Sequence, residues 1–104
     1  MKDFAIIIPA YNEEDYLAAT LESVREAVSA MPGSGTVVVV DNNSSDRTGE
    51  VAKTHGADLV VFEPHNQIAR ARNAGADSVK QIEHLVFVDA DTLITENLLS
   101  EMIS

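Results

Sequence analysis

Four short apolar runs constrain what this chain can become: Phe4–Ile8, Val37–Val40, Leu59–Phe62 and Leu85–Val88. Each is β-branched or aliphatic, and none alternates with polar residues. A strand with one wet face alternates. An unbroken run of this length suits a strand covered on both faces, as in a parallel sheet. Helical patterns lie between the runs, so the order β-α-β-α-β-α-β predicts an α/β fold, a doubly wound, mainly parallel sheet with flanking helices of the Rossmann-like kind.

The first helix is expected to follow Asn12 as its cap, with Glu13, Glu14 and Asp15 in a first turn that favours negative charge. Leu17, Leu21, Val24 and Val28 then give it one apolar face, and Met31-Pro32-Gly33-Ser34-Gly35 ends it. A second helix is expected from Ser45 or Asp46 to Gly56. A third covers 67–80, where Ala69, Ala71, Ala74, Gly75 and Ala76 allow close approach to a neighbour. A fourth is expected to begin at Thr95. The chain of 104 residues suffices for one small domain, and its last stretch reads as a helix cut short, so the chain is expected to be truncated.

Charge narrows the partners. The formal net charge is −10, which offers no long-range attraction to nucleic acid. It also repels free nucleotides, so a phosphate ligand would need a cation, a helix N-terminus or placed arginines. No run is long enough to cross a bilayer. The lack of cysteine suits a reducing cytoplasm, and the expected location is the cytoplasm or the inner face of the membrane.

In an open parallel sheet, ligands bind beyond the carboxyl ends of the strands. There the sequence places Pro9-Ala10-Tyr11-Asn12-Glu13-Glu14, Asp41-Asn42-Asn43-Ser44-Ser45-Asp46, Glu63-Pro64-His65-Asn66 and Asp89-Ala90-Asp91-Thr92. Asp89 and Asp91, two apart at a strand end, can both reach one hard cation such as Mg²⁺ or Mn²⁺; otherwise they are two solvated loop aspartates. Asp41 can accept from a nucleobase imide or ribose hydroxyls, or make an Asx-turn. The stretch 41–46 is no EF-hand, lacking its glycine and its terminal glutamate. Arg70 and Arg72 cannot share a helix face; one is expected to meet a ligand and the other to form a surface ion pair. His55, His65 and His84 are scattered and form no metal-binding pattern.

Four blocks, 6–14, 38–48, 71–75 and 87–92, closely resemble glycosyltransferase family 2 in order and near its spacing. The resemblance implies a GT-A fold, a UDP-, GDP- or dTDP-sugar donor, inversion at the anomeric carbon and an acceptor that the sequence does not identify. It implies nucleotide binding by Pro9, Tyr11, Glu13, Asp41, Arg72 and Asp89, and metal binding by Asp89 and Asp91. It makes residues 1–104 a nucleotide-sugar-binding domain truncated before the acceptor-binding half, and places the general base beyond residue 104. One departure is Asn66-Gln67-Ile68, where many members have an Asn-x-Gly turn one residue longer. Two other readings compete: a nucleotide-binding module without catalysis, and a phosphatase with an Asp-x-Asp nucleophile. The latter expects Asp-x-Asp-x-Thr after the first strand, whereas Thr92 directly follows Asp91. If the sheet ends at the 85–88 strand, its apolar edge is expected to pair with a second copy.

Overall fold

The structure, a computed structural model, describes residues 3–93 and Leu99. They form β1 (Phe4–Ala10), α1 (Leu17–Ala30), β2 (Gly35–Asp41), α2 (Thr48–Thr54), β3 (Leu59–Phe62), α3 (Ile68–Asp77) and β4 (His84–Phe87). The strands make one sheet in the order β3-β2-β1-β4, parallel throughout. The expected α/β architecture is present. The helix expected from Thr95 lies outside the described residues. No described helix is long and apolar enough to cross a membrane.

The pleat divides the core in two. Phe4, Ile6, Ile8 and Ala10 of β1 join Val37 and Val39 of β2 against Leu17, Leu21, Val24 and Ala27 of α1 and Ala52 of α2. Ala5 and Ile7 join Val38 and Val40 on the opposite face, against Ala71 of α3 and Val79. β1 and β2 are therefore the doubly covered strands that unbroken apolar runs imply. β3 and β4 are shorter and partly open, with Leu59, Phe62 and Phe87 exposed, because each is an edge of the described sheet.

The helix starts differ from expectation. α1 begins at Leu17, with Tyr16 at the cap position and no acidic residue in its first turn. Asn12 adopts a left-handed backbone (φ 52°), which an N-cap residue does not. Its side chain accepts from Ser45 N–H at 2.8 Å instead. α2 begins at Thr48, because residues 42–47 are spent turning the chain. It ends as expected before Gly56, whose φ of 104° lets Ala57 N–H reach back to Ala52 O at 3.2 Å in a Schellman closure. α3 spans ten residues and is shorter than the expected 67–80. Among the described residues the expected surface ion pair of its arginines is not formed: Arg70 Nε donates to Gln67 Oε1 at 3.1 Å, and Arg72 lies over the Phe87 ring, 5.6 Å from its centroid.

The small residues of α3 do let it approach the sheet. A Cβ on Gly75 would sit 2.4 Å from Ile7 Cγ2 and 3.0 Å from Val40 Cγ2. Both neighbours are fully buried in the central strands and cannot move freely. Alanine would gain roughly 1 kcal/mol of helix propensity, against an overpacking cost of about 1–3 kcal/mol. Gly75→Ala is therefore expected to lower stability, and Gly75→Val to lower it further. Urea unfolding midpoints measured at constant m-value check this; an unchanged midpoint for Gly75→Val would remove the close-packing account.

Candidate functional site

Strand order reverses between β1 and β4. α1 and α2 pack on one face of the sheet and α3 on the other. This is a topological switch point, where the carboxyl ends of neighbouring strands part and leave a crevice. Pro9 helps them part. Ile7 O accepts from Val88 N–H at 3.0 Å, whereas Ala10 O accepts from Asn42 N–H at 2.9 Å. Alternate residues of a strand address opposite neighbours, so Pro9 faces the β4 side. It has no N–H to give there, and the β1–β4 register runs no further than Ile7 and Phe87.

The crevice, with a volume of about 320 Å³, is lined by Pro9, Ala10, Tyr11 and Glu13 after β1, Asn42 after β2, Ile68 on α3, and Asp89, Ala90 and Asp91 after β4. The pleat explains the choice. Odd-numbered residues of β1 and even-numbered ones of β2 face α3, and that alternation carries on to Tyr11 and Asn42. Val86, Val88 and Ala90 point to the α1 side, so Asp89 and Asp91 emerge together on the other, both exposed.

Five of the seven residues singled out in the sequence meet here: Pro9, Tyr11, Glu13, Asp89 and Asp91. Asp41 does not line the crevice. The same pleat turns it toward α2, where Oδ1 accepts from Ser44 N–H at 3.0 Å and Oδ2 lies 2.9 Å from where a Cβ on Gly49 would stand. Arg72 lies outside the lining as well, over Phe87. Four lining residues were not singled out, the buried Ala10 and Ala90 and two others. Ile68 is exposed at the start of α3. Asn42 is 4% exposed, and its amide donates to Glu63 O at 3.1 Å and His65 O at 2.6 Å. Strand parity alone would have found Asn42.

Side chains of the β2–α2 loop hold the β1–α1 loop from behind. Three consecutive backbone N–H groups are captured: Asn12 by Ser44 Oγ (3.0 Å), Glu13 by Thr48 Oγ1 (2.9 Å) and Glu14 by Asp46 Oδ2 (3.3 Å). Thr48 Oγ1 and Thr48 N–H both donate to Asp46 Oδ1. Burial acts to raise the Asp46 carboxyl, but these bonds together outweigh it and hold the group below its usual range. The Asp89-Ala90-Asp91 turn is held separately. Asp89 O accepts from Thr92 N–H at 3.0 Å, and Thr20 Oγ1 of α1 donates to Ala90 O at 2.7 Å.

The electrostatics of the crevice are one-sided. Glu13, Asp89 and Asp91 line it and no basic side chain does. Burial, then the charges of Asp91 and Asp46, raise the Glu13 carboxyl above its usual range. Two aspartates from one turn, beside a destabilised glutamate, form a donor set that suits a hard cation sharing its coordination with phosphate oxygens and water. Among the described residues no cluster of three or more such side chains closes on a single point, so these residues supply only part of a coordination shell.

An open parallel α/β sheet with an acidic crevice at its switch point defines a Rossmann-like α/β domain. The chain belongs to glycosyl transferase family 2, whose profile matches residues 5–104. An uncharacterised glycosyltransferase of Mycobacterium tuberculosis is 41% identical over 70 residues, covering 67% of this chain and 28% of the relative. The minor teichoic acid biosynthesis protein GgaA of Bacillus subtilis is 26% identical over 95% of this chain and 24% of its own length. The crystal structure of residues 1–349 of S. aureus TarS with UDP superposes with a TM-score of 0.76 at 32% identity, covering 97% of this chain and 30% of that one. The chain thus spans about a quarter to a third of these relatives. The chain shares the GT-A fold of these neighbours.

Glu13 gives the first test. An acid whose folded pKa is raised is held ionised at a cost above that pKa, and the cost disappears once both folded and unfolded forms are protonated. Its carboxylate accepts no hydrogen bond among the described residues, so little is lost by removing the charge. Glu13→Gln is expected to stabilise the ligand-free chain at pH 7. The gain should fade as pH drops through the raised value and below the ordinary 4.5. Thermal unfolding from pH 4 to 8 in EDTA reads this; a pH-independent difference would place the effect outside the carboxyl's titration.

Proposed function

We propose that this chain is the donor-binding part of an inverting glycosyltransferase that takes a nucleoside-diphosphate sugar with Mg²⁺ or Mn²⁺. The observation that carries the reading is the meeting of Asp89 and Asp91 with Pro9, Tyr11, Glu13 and Asn42 in one crevice. The site is acidic, as is the chain, so a diphosphate needs a cation between it and the protein. When bound, that cation stabilises the charge on the departing nucleoside diphosphate. Asp89 and Asp91 hold the cation, Asp89 also reaching the ribose. Pro9 and Tyr11 wall the nucleotide, and Glu13 helps set the charge of the site. UDP is the natural first probe, since TarS has been crystallised with both UDP and UDP-GlcNAc.

Asp41 takes a different part in this reading. Its carboxylate holds the turn at Ser44, and Asn42 faces the nucleotide. Arg72 remains a proposed phosphate contact. Its exposed side chain has no carboxylate partner among the described residues, and a contact with an aromatic face is worth only about 0.5–1 kcal/mol at an exposed site.

Calorimetry with UDP, in Mn²⁺ and in EDTA, tests the reading. Wild type is expected to bind more tightly with Mn²⁺. Asp91→Asn is expected to lower affinity in Mn²⁺ by about tenfold or more, by analogy with the loss caused by disturbing metal-site supports, and to leave affinity in EDTA nearly unchanged. Equal losses in both conditions would remove the metal role.

A second pair separates the neighbours on β2. Asn42→Ala should weaken UDP binding with and without Mn²⁺. Asp41→Ala should lower stability by about 1 kcal/mol, the usual worth of one hydrogen bond, with the smaller effect on affinity. A larger loss of affinity for Asp41→Ala than for Asn42→Ala in calorimetry would return Asp41 to the nucleotide.

A further inference from the structure

Thr20 lies in the second turn of α1, and its residue is 1% exposed. A helical threonine ordinarily bonds back to the carbonyl four residues earlier. Here that contact, to Tyr16 O, is long at 3.2 Å. The shorter one, 2.7 Å and buried, goes to Ala90 O, seventy residues away. A hydroxyl has one proton, and the shorter contact takes it. Ala90 is itself buried, at 4% exposed, while Asp89 and Asp91 on either side are exposed. The acceptor is the carbonyl between the two carboxylates, so the bond fixes the rotation of the peptide plane that joins Ala90 to Asp91.

We propose that Thr20 is the positioning residue of the Asp89–Asp91 cation site: its hydroxyl holds the turn so that both carboxylates face one cation. This rests on the donor-binding reading above. Groups that orient metal ligands typically matter by 10–100-fold in metal affinity. A threonine that serves packing alone would change stability without changing the response to metal.

The test measures UDP affinity of the whole chain in MnCl₂ and in EDTA for wild type, Thr20→Val and Thr20→Ser, with melting temperature recorded for each. Thr20→Val keeps the shape and loses the donor; Thr20→Ser keeps the donor and loses a methyl. The Mn²⁺-to-EDTA affinity ratio is expected to fall by about tenfold in Thr20→Val and to be retained in Thr20→Ser, even if both melt lower. A wild-type ratio in Thr20→Val overturns the positioning role and leaves the donor-binding reading intact. A wild type whose UDP binding ignores Mn²⁺ overturns both. If Thr20→Val does not fold, Thr20→Ala is read in the same way, and a wild-type ratio there overturns the proposal equally. Mn²⁺ titration followed by its electron paramagnetic resonance signal, without nucleotide, gives the same comparison for the cation alone.

Discussion

The burial of β1 on all four sides is the constraint from which the rest follows. It pairs with β2 and β4 at its edges and is covered by α1 on one face and α3 on the other. Ile6, Ile7 and Ile8 are fully buried, each contributing at most about 1.5–3 kcal/mol of transfer free energy. A strand so enclosed cannot slip by one residue, because that would exchange its two faces. The fixed register fixes the parity of everything at its carboxyl end. Pro9 and Tyr11 reach the α3 side, Ala10 stays in the α1 core, and the crevice opens where Pro9 has no proton to give to β4.

Around that strand the two acidic regions are handled in opposite ways. The β2–α2 loop satisfies its charge. Asp46 is surrounded by donors from Thr48 and Glu14, and the loop spends its serine and threonine hydroxyls on the backbone of the β1–α1 loop. The crevice leaves its charge unsatisfied. Glu13 is partly desolvated and feels the charge of Asp91, and no basic side chain among the described residues lines the crevice. Native proteins retain such local conflict at sites where a ligand resolves it. The contrast separates supporting carboxylates from working ones better than sequence position does, since both kinds sit in polar loops at the same end of the sheet.

Much of this was legible in the residues. Unbroken valine and isoleucine runs gave the parallel strands, and the small residues of 69–76 gave a helix that presses on the sheet. The aspartates at 89 and 91 were placed correctly at a strand end because the apolar run 85–88 stops directly before them. The misreadings have a common cause. Asn12 and Asp46 have the chemistry of helix caps, and propensity assigns them to the nearest helix. In the structure Asn12 ties to a loop more than thirty residues away, and Asp46 serves both Thr48 beside it and the distant Glu14. Local signals name the hydrogen-bonding capacity and leave the partner open. For Asp41 the residues left a ligand contact and an Asx-turn both open; pleat parity, available from the alternation of Val37 to Val40 once either face is known, brings Asn42 and not Asp41 to the crevice lining. Thr20 gave no signal at all: a threonine inside an amphipathic helix reads as ordinary core.

A site with two exposed carboxylates and a third held back cannot complete the shell of a hard cation, which takes six or more oxygens. In the proposed reading the missing oxygens come from the diphosphate and water. Cation and nucleotide then depend on each other: the cation binds weakly until the diphosphate adds its oxygens, and the diphosphate binds weakly to an acidic crevice until the cation offsets its charge. Such coupling is reciprocal by necessity, so whatever factor Mn²⁺ adds to nucleotide affinity the nucleotide adds to Mn²⁺ affinity. An acidic chain gains from this arrangement. In that reading the charge of −10 would reject the bare nucleotide and the crevice would hold the bare cation loosely, so the site would respond to the pair.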